Sequence, residues 1–161
     1  MSLGATPFNR GPAGGEPLDH RWIEAHIPHQ GPMCLLEEVL TWDAARIRCR
    51  AISHRLAGNP LRAGGRLGAV CGVEYAGQAM AVHGAIMASI SGARVRPGYL
   101  ASLRNLVLHV TRLDDLPEDL IASAERLAGD DATALYHFAV SSAGRELLSG
   151  RASIVFGAEA T

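Results

Sequence analysis

Glu74, Gln78 and a few histidines, His29 and His54 foremost, are the side chains in this sequence whose types and spacing could move protons. Glu74 is a carboxylate in the middle of the longest apolar stretch, Gly65 to Ser91, which is built mostly from small residues. Burial disfavours a charged carboxyl, so the spacing predicts a Glu74 pKa raised by desolvation, as a proton donor requires. Gln78 follows at i+4 on the same helical face and could orient that carboxyl or a substrate. His83 lies nine residues beyond Glu74, an offset of about 180° at the helical repeat, and points away as a structural or interfacial residue. Histidine is the side chain that titrates near neutral pH. His29, in the constrained turn between Pro28 and Gly31, is therefore the first candidate partner for Glu74, with His54 the second. Plainer readings stand beside these. Glu74 could be a buried carboxylate paired with Arg104 or Arg62, Gln78 a helix-to-sheet hydrogen bond, and His29 a brace for the N-terminal segment.

The elements that must position these groups can be read from pattern. Asp19 is placed to cap a helix over residues 20–25, which should stop before Pro28 because the residue preceding proline disfavours the helical region. Residues 35–42 read as a strand, Asp43 to Ala45 as a tight turn, and residues 46–53 as a second strand. In the latter, Ile47, Cys49 and Ala51 alternate with Arg46, Arg48 and Arg50. Residues 54–64 are a loop by their Gly, Asn and Pro content. The apolar stretch then forms one long helix ending near Gly92, and a helix apolar nearly all round must be buried nearly all round. Four strands follow, over residues 98–110, 120–129, 132–142 and 145–156, with Ser142 to Arg145 a strong hairpin turn. Strands grouped around a lone helix predict an α+β domain with a six-stranded antiparallel sheet wrapped around it. The expected organisation is a flexible N-terminal arm over residues 1–17 and a single domain over residues 18–161.

Bulk properties exclude several classes. A chain of 161 residues with 48% hydrophobic content and a net charge of −1 suits one soluble domain. No basic excess exists to neutralise phosphates, so nucleic acid is not the expected partner. The fifteen basic residues are all arginine. Cys34, Cys49 and Cys71 are scattered and odd in number, without metal-ligand spacing, which predicts free thiols in a reducing cytosol. The start of the chain lacks a signal-peptide pattern. Five glycines from Gly65 to Gly84, with Glu74, Gln78 and His83, argue against a lipid-facing span.

Two motifs carry a family resemblance. IPHQGPMCLLEEVL resembles the segment that opens the beta-hydroxyacyl-acyl carrier protein dehydratases, and VEYAGQAMAVHG resembles the glutamate-bearing segment on their central helix. Together they cover about residues 20–92. The chain is most similar to the 3-hydroxyacyl-acyl carrier protein dehydratases of aryl-polyene-type gene clusters. The resemblance implies a hotdog fold, a homodimer with the site between subunits and each subunit supplying one catalytic group, and dehydration of acyl carrier protein or coenzyme A thioesters in fatty acid or polyene synthesis. It implies no metal and no redox cofactor. Such an elimination needs a base for the α-proton and an acid for the departing hydroxyl. An N–H donor at a helix N-terminus can also polarise the thioester carbonyl. The resemblance makes Glu74, His29, Gln78 and His54 the catalytic candidates, and Asn59, Arg62, Gly65 and Gly68 the substrate-binding ones. Glycines ahead of the carboxylate, Gly72 included, let backbone or substrate approach closely. Arg62, Arg66, Arg94, Arg96 and Arg104 could dock an acidic carrier protein or be a solvated face. The sequence departs from the fatty-acid dehydratases at one point. Their loop histidine would fall at Pro60, which leaves the partner of Glu74 to be found elsewhere. Two other activities fit the same fold: an acyl thioesterase in which Glu74 activates water or attacks the carbonyl, and a non-catalytic subunit that holds an acyl chain.

Overall fold

Alternation at Ile47, Cys49 and Ala51 buries one face of its strand completely, and the same rule builds the rest of the sheet. In a computed structural model that describes residues 10–12 and 15–157, the strands are β1 Glu38–Trp42, β2 Arg46–Ala51, β3 Gly98–Leu108, β4 Leu120–Gly129, β5 Thr133–Ser142 and β6 Arg145–Phe156. They form one six-stranded antiparallel sheet in the order β1-β2-β4-β5-β6-β3. Helix α1, His20–His26, is capped by Asp19, whose side chain accepts from the Trp22 N–H at 3.0 Å. Helix α2, Gly72–Ser91, lies in the concave side of the sheet. Its Ala76, Ala79, Val82, Ala85 and Ile86 are fully buried against inner-face residues such as Ile47, Cys49, Ala122, Phe138 and Val140. Small side chains on α2 allow this close wrap. No helix among the described residues is long and apolar enough to cross a membrane.

The helix starts later than the apolar stretch. Gly64 and Gly65 adopt positive φ (57° and 74°), Gly68 is extended, and a 3-10 turn over Ala69–Cys71 leads into α2. Glu74 therefore stands in the first turn of α2 rather than mid-helix, at the end whose dipole favours a negative charge. Close approach, expected of several glycines, is required only at Gly72: a Cβ there would collide with the Leu148 side chain of β6, whereas one at Gly65 or Gly68 would meet nothing within 4 Å. At its other end α2 stops at Gly92 in the left-handed conformation (φ 69°).

The two edges of the sheet differ. Along β1, the Val39 N–H donates to the Leu18 carbonyl at 2.9 Å, so the preceding chain covers part of that edge. Strand β3 pairs on one side only, with β6, and exposes Tyr99, Leu100, Leu103, Val107 and Leu108. The arm expected over residues 1–17 lies largely outside the described residues. Of its described part, Arg10 bridges to Pro17 and its carbonyl accepts from the Trp42 indole N–H at 3.0 Å.

Candidate active site

Pro28 ends α1, and the chain turns back toward α2. Two local bonds fix the turn: the Gln30 amide donates to the Glu24 carbonyl at 2.7 Å, and the Gly31 N–H donates to Glu24 Oε1 at 2.8 Å. Gly31 takes φ 59°, which that reversal needs. Residues 33–35 are then laid along α2 by the fully buried Gln78. Its Oε1 accepts from the Leu35 N–H at 2.9 Å, while its Nε2 donates to the Met33 carbonyl at 2.7 Å and to Glu74 Oε1 at 3.1 Å. The i+4 spacing thus orients the carboxylate as expected, while the expected helix-to-sheet bond goes instead to the segment just before β1.

This clamp delivers His29. Its Nε2 lies 3.0 Å from Glu74 Oε1, with the two side chains 27% and 38% exposed. Histidine and glutamate come from the same chain, which corrects the expectation that each subunit supplies one of the two groups. Glu74 Oε1 receives both donors, from His29 and Gln78; among the described residues no donor reaches Oε2. His29 Nδ1 is buried without a partner. The expectation of a raised Glu74 pKa is corrected: it is lowered from 4.5, first by the His29 hydrogen bond, which outweighs desolvation, and then by Gln78. The reason is geometric. Two donors and a helix N-terminus favour the charged form more than partial burial disfavours it.

A buried network behind the pair holds it in place. The Ser53 hydroxyl donates to the Leu35 carbonyl at 2.8 Å, and Tyr75, next to Glu74, donates its hydroxyl to Ser53 Oγ at 2.8 Å. Asn59 Nδ2 donates to the Tyr75 hydroxyl at 3.0 Å and to the Ser53 carbonyl at 2.9 Å. Its Oδ1 accepts from the Leu61 N–H at 2.9 Å, so every polar atom of Asn59 is used in shaping the loop. Arg62 is similar, donating to the carbonyls of Gly65 (3.0 Å) and His54 (3.1 Å) and not to Glu74. Neither residue reaches the pair. Ser53 and Tyr75 escape a reading of the sequence; the one signal was a tyrosine in an otherwise small-residue helix.

His54 is not brought to Glu74. It is fully buried, and Nε2 contacts the carbonyls of Leu116 at 3.2 Å and Glu118 at 3.0 Å, pinning the segment before β4. Burial pushes its pKa down. His83 faces the other side of α2 as its spacing requires: Nδ1 accepts from the Tyr136 hydroxyl at 2.8 Å, and Nε2 donates to the Asp43 carbonyl at 2.9 Å. Arg96 donates to the Gly157 carbonyl, and Arg104 lies on β3 opposite Arg151, so the five arginines are not one uniform surface. All three cysteines are free thiols, and no metal-holding group of His, Cys, Asp or Glu occurs among the described residues.

A six-stranded sheet curled round one helix, with a histidine–carboxylate pair at the helix start, defines the chain as a hotdog-fold protein. The chain belongs to the ApeP-like family of dehydratases, whose sequence profile matches residues 21–160. No curated protein matches it significantly. Among solved structures it is similar to the dehydratase heterocomplex ApeI:P from Xenorhabdus doucetiae, with 20% identity over 85% of this chain and 91% of that one and a TM-score of 0.75. Two thioesterases share the fold more distantly. One, a hypothetical thioesterase from Streptococcus pneumoniae solved with coenzyme A, has 11% identity over 77% and 88% of the two chains and a TM-score of 0.52. The other, from Haemophilus influenzae, has 10% identity over 74% and 77% and a TM-score of 0.53.

Proposed function

We propose that this chain removes water from 3-hydroxyacyl thioesters carried by acyl carrier protein or coenzyme A, using His29 and Glu74 of one subunit. The observation that carries this reading is the carboxylate with one oxygen held and one free: Glu74 Oε1 accepts from His29 and Gln78, while among the described residues no donor reaches Oε2. Ionised Glu74 takes the α-proton at Oε2, and the electrons of the broken C–H bond move onto the thioester as an enolate. The same carboxyl then returns that proton to the β-hydroxyl, and the enolate electrons form the double bond as the C–O bond breaks and water leaves, so the pair ends in its starting state. His29 keeps Oε1 anchored through both steps and stabilises the charged form. The first turn of α2 offers the positive end of a helix dipole to the enolate that develops.

A second subunit completes the site. Two cavities, of about 460 and 250 Å³, open on the far side of the sheet, away from His29, Glu74 and Gln78. The exposed apolar edge of β3 is the surface on which another sheet would add. We take the pairing to be a homodimer of residues 18–161, working in the reducing cytosol that free thiols fit. The ApeI:P relative, a heterocomplex, makes a related chain the competing partner. The test is to offer the purified protein 3-hydroxyacyl and acyl carrier-protein thioesters. An enoyl thioester supports dehydration; release of free thiol instead supports a thioesterase, and tight binding without turnover a non-catalytic subunit.

A further inference from the structure

The outer face of the sheet, turned away from α2, carries a cationic recess that the reaction at Glu74 does not use. Two adjacent rows cross β5, β6 and β3. Leu135, Ser153 and Ser102 are Cα partners in one row, and His137, Arg151 and Arg104 in the next. Directly opposed residues project from the same face. The alternating residues Ala134, Tyr136, Phe138 and Ala152 are buried in the core, so these two rows face outward. Ser102, Arg104, Leu135, Arg151 and Ser153 line a recess of about 250 Å³.

The charges in that recess are unbalanced. Like charges directly opposed across a strand pair are destabilising, yet Arg104 and Arg151 are partners. Among the described residues neither makes an ion pair, whereas Arg46, Arg50, Arg55 and Arg112 all do. The acid further along the row, Glu125, sits opposite His137 and is engaged by Arg46 at 3.4 Å. We infer that Ser102, Arg104, Arg151 and Ser153 form a binding site for a phosphate group, separate from the His29–Glu74 pair. Guanidinium forks match phosphate oxygens in bidentate fashion, and two hydroxyls add further donors. Two forks and two hydroxyls supply more donors than the two oxygens of a carboxylate can accept. Leu135 lines the same recess beside these donors.

Calorimetric titration of the whole chain with inorganic phosphate at fixed ionic strength tests the site. The expected result is saturable binding that weakens at least about tenfold in Arg104→Gln and in Arg151→Gln, each losing a charge-assisted hydrogen bond. Both variants should keep at least the wild-type melting temperature in phosphate-free buffer, since each relieves a like-charge contact. Competition by coenzyme A but not by phosphate-free pantetheine would name a thioester carrier as the source. Competition by neither would name the free ion. Absence of saturation, equal affinity in wild type and both variants, or equal competition by pantetheine would overturn the site.

Discussion

At the scale of single residues, the account rests on Glu74 being ionised. Its pKa is held below 4.5 by His29 and Gln78, so catalysis by the carboxylate should persist down to and below that pH, for as long as the protein stays folded. The same depression means that ionised Glu74 favours the folded state above the ordinary carboxylate pKa. That contribution is lost as pH falls through the lowered value. Replacing Gln78 removes one of the two donors. In Gln78→Leu the acid limb of the pH–rate profile should move to higher pH, with turnover falling about tenfold or more as the carboxylate loses its orientation; an unmoved limb would deny Gln78 its role. Much of this site was legible in advance. Glu74, Gln78 and His29 are marked by type and spacing, and His83 by its helical offset. His54 misled because a loop position says nothing of direction, and here the ring turns to the carbonyls of Leu116 and Glu118. The sign of the Glu74 shift was also hidden, since it depends on where α2 begins and on a contact between residues far apart in sequence.

At the scale of elements, the strands after α2 could be read nearly to the residue because turn chemistry punctuates them. The β5–β6 turn puts Ala143 at φ 50° and Gly144 at φ 76°, a pair of left-handed residues matching the twist of a two-residue hairpin. Alanine is strained there, so Ala143→Gly should stabilise the protein by about 0.5–1 kcal/mol in chemical denaturation. The start of α2 was misread for a physical reason: apolar small residues continue through Gly65–Gly68, but positive φ at Gly64 and Gly65 breaks the helix that composition allows. The network of Ser53, Tyr75 and Asn59 was equally invisible, because hydrogen bonds between the 3-10 turn Ser53–Arg55, a loop and α2 leave no periodic trace. Tyr75→Phe leaves the buried Asn59 amide short of one acceptor and should cost about 1–3 kcal/mol on unfolding. A variant as stable as the wild type would show that the network does not brace the site.

At the scale of the whole molecule, the open edge at β3 and the active pair set two expectations. If β3 is the seam between subunits, Leu103→Glu, which puts a charge on that exposed apolar edge, should convert a dimer into a monomer by light scattering while the secondary structure is kept. Because His29 and Glu74 meet within one chain, co-assembled His29→Ala and Glu74→Gln subunits should show no rescue; pairs formed between chains would restore one of the two sites in each mixed dimer. The central claim is that Glu74 is the proton-transferring group of a dehydratase, and its most direct test is the rate of enoyl thioester formation by Glu74→Gln beside the wild type. The expected result is a loss of about 10²–10⁴-fold, with the fold kept and the melting temperature lowered only by the lost carboxylate contribution; dehydration at the wild-type rate by the folded variant would contradict it.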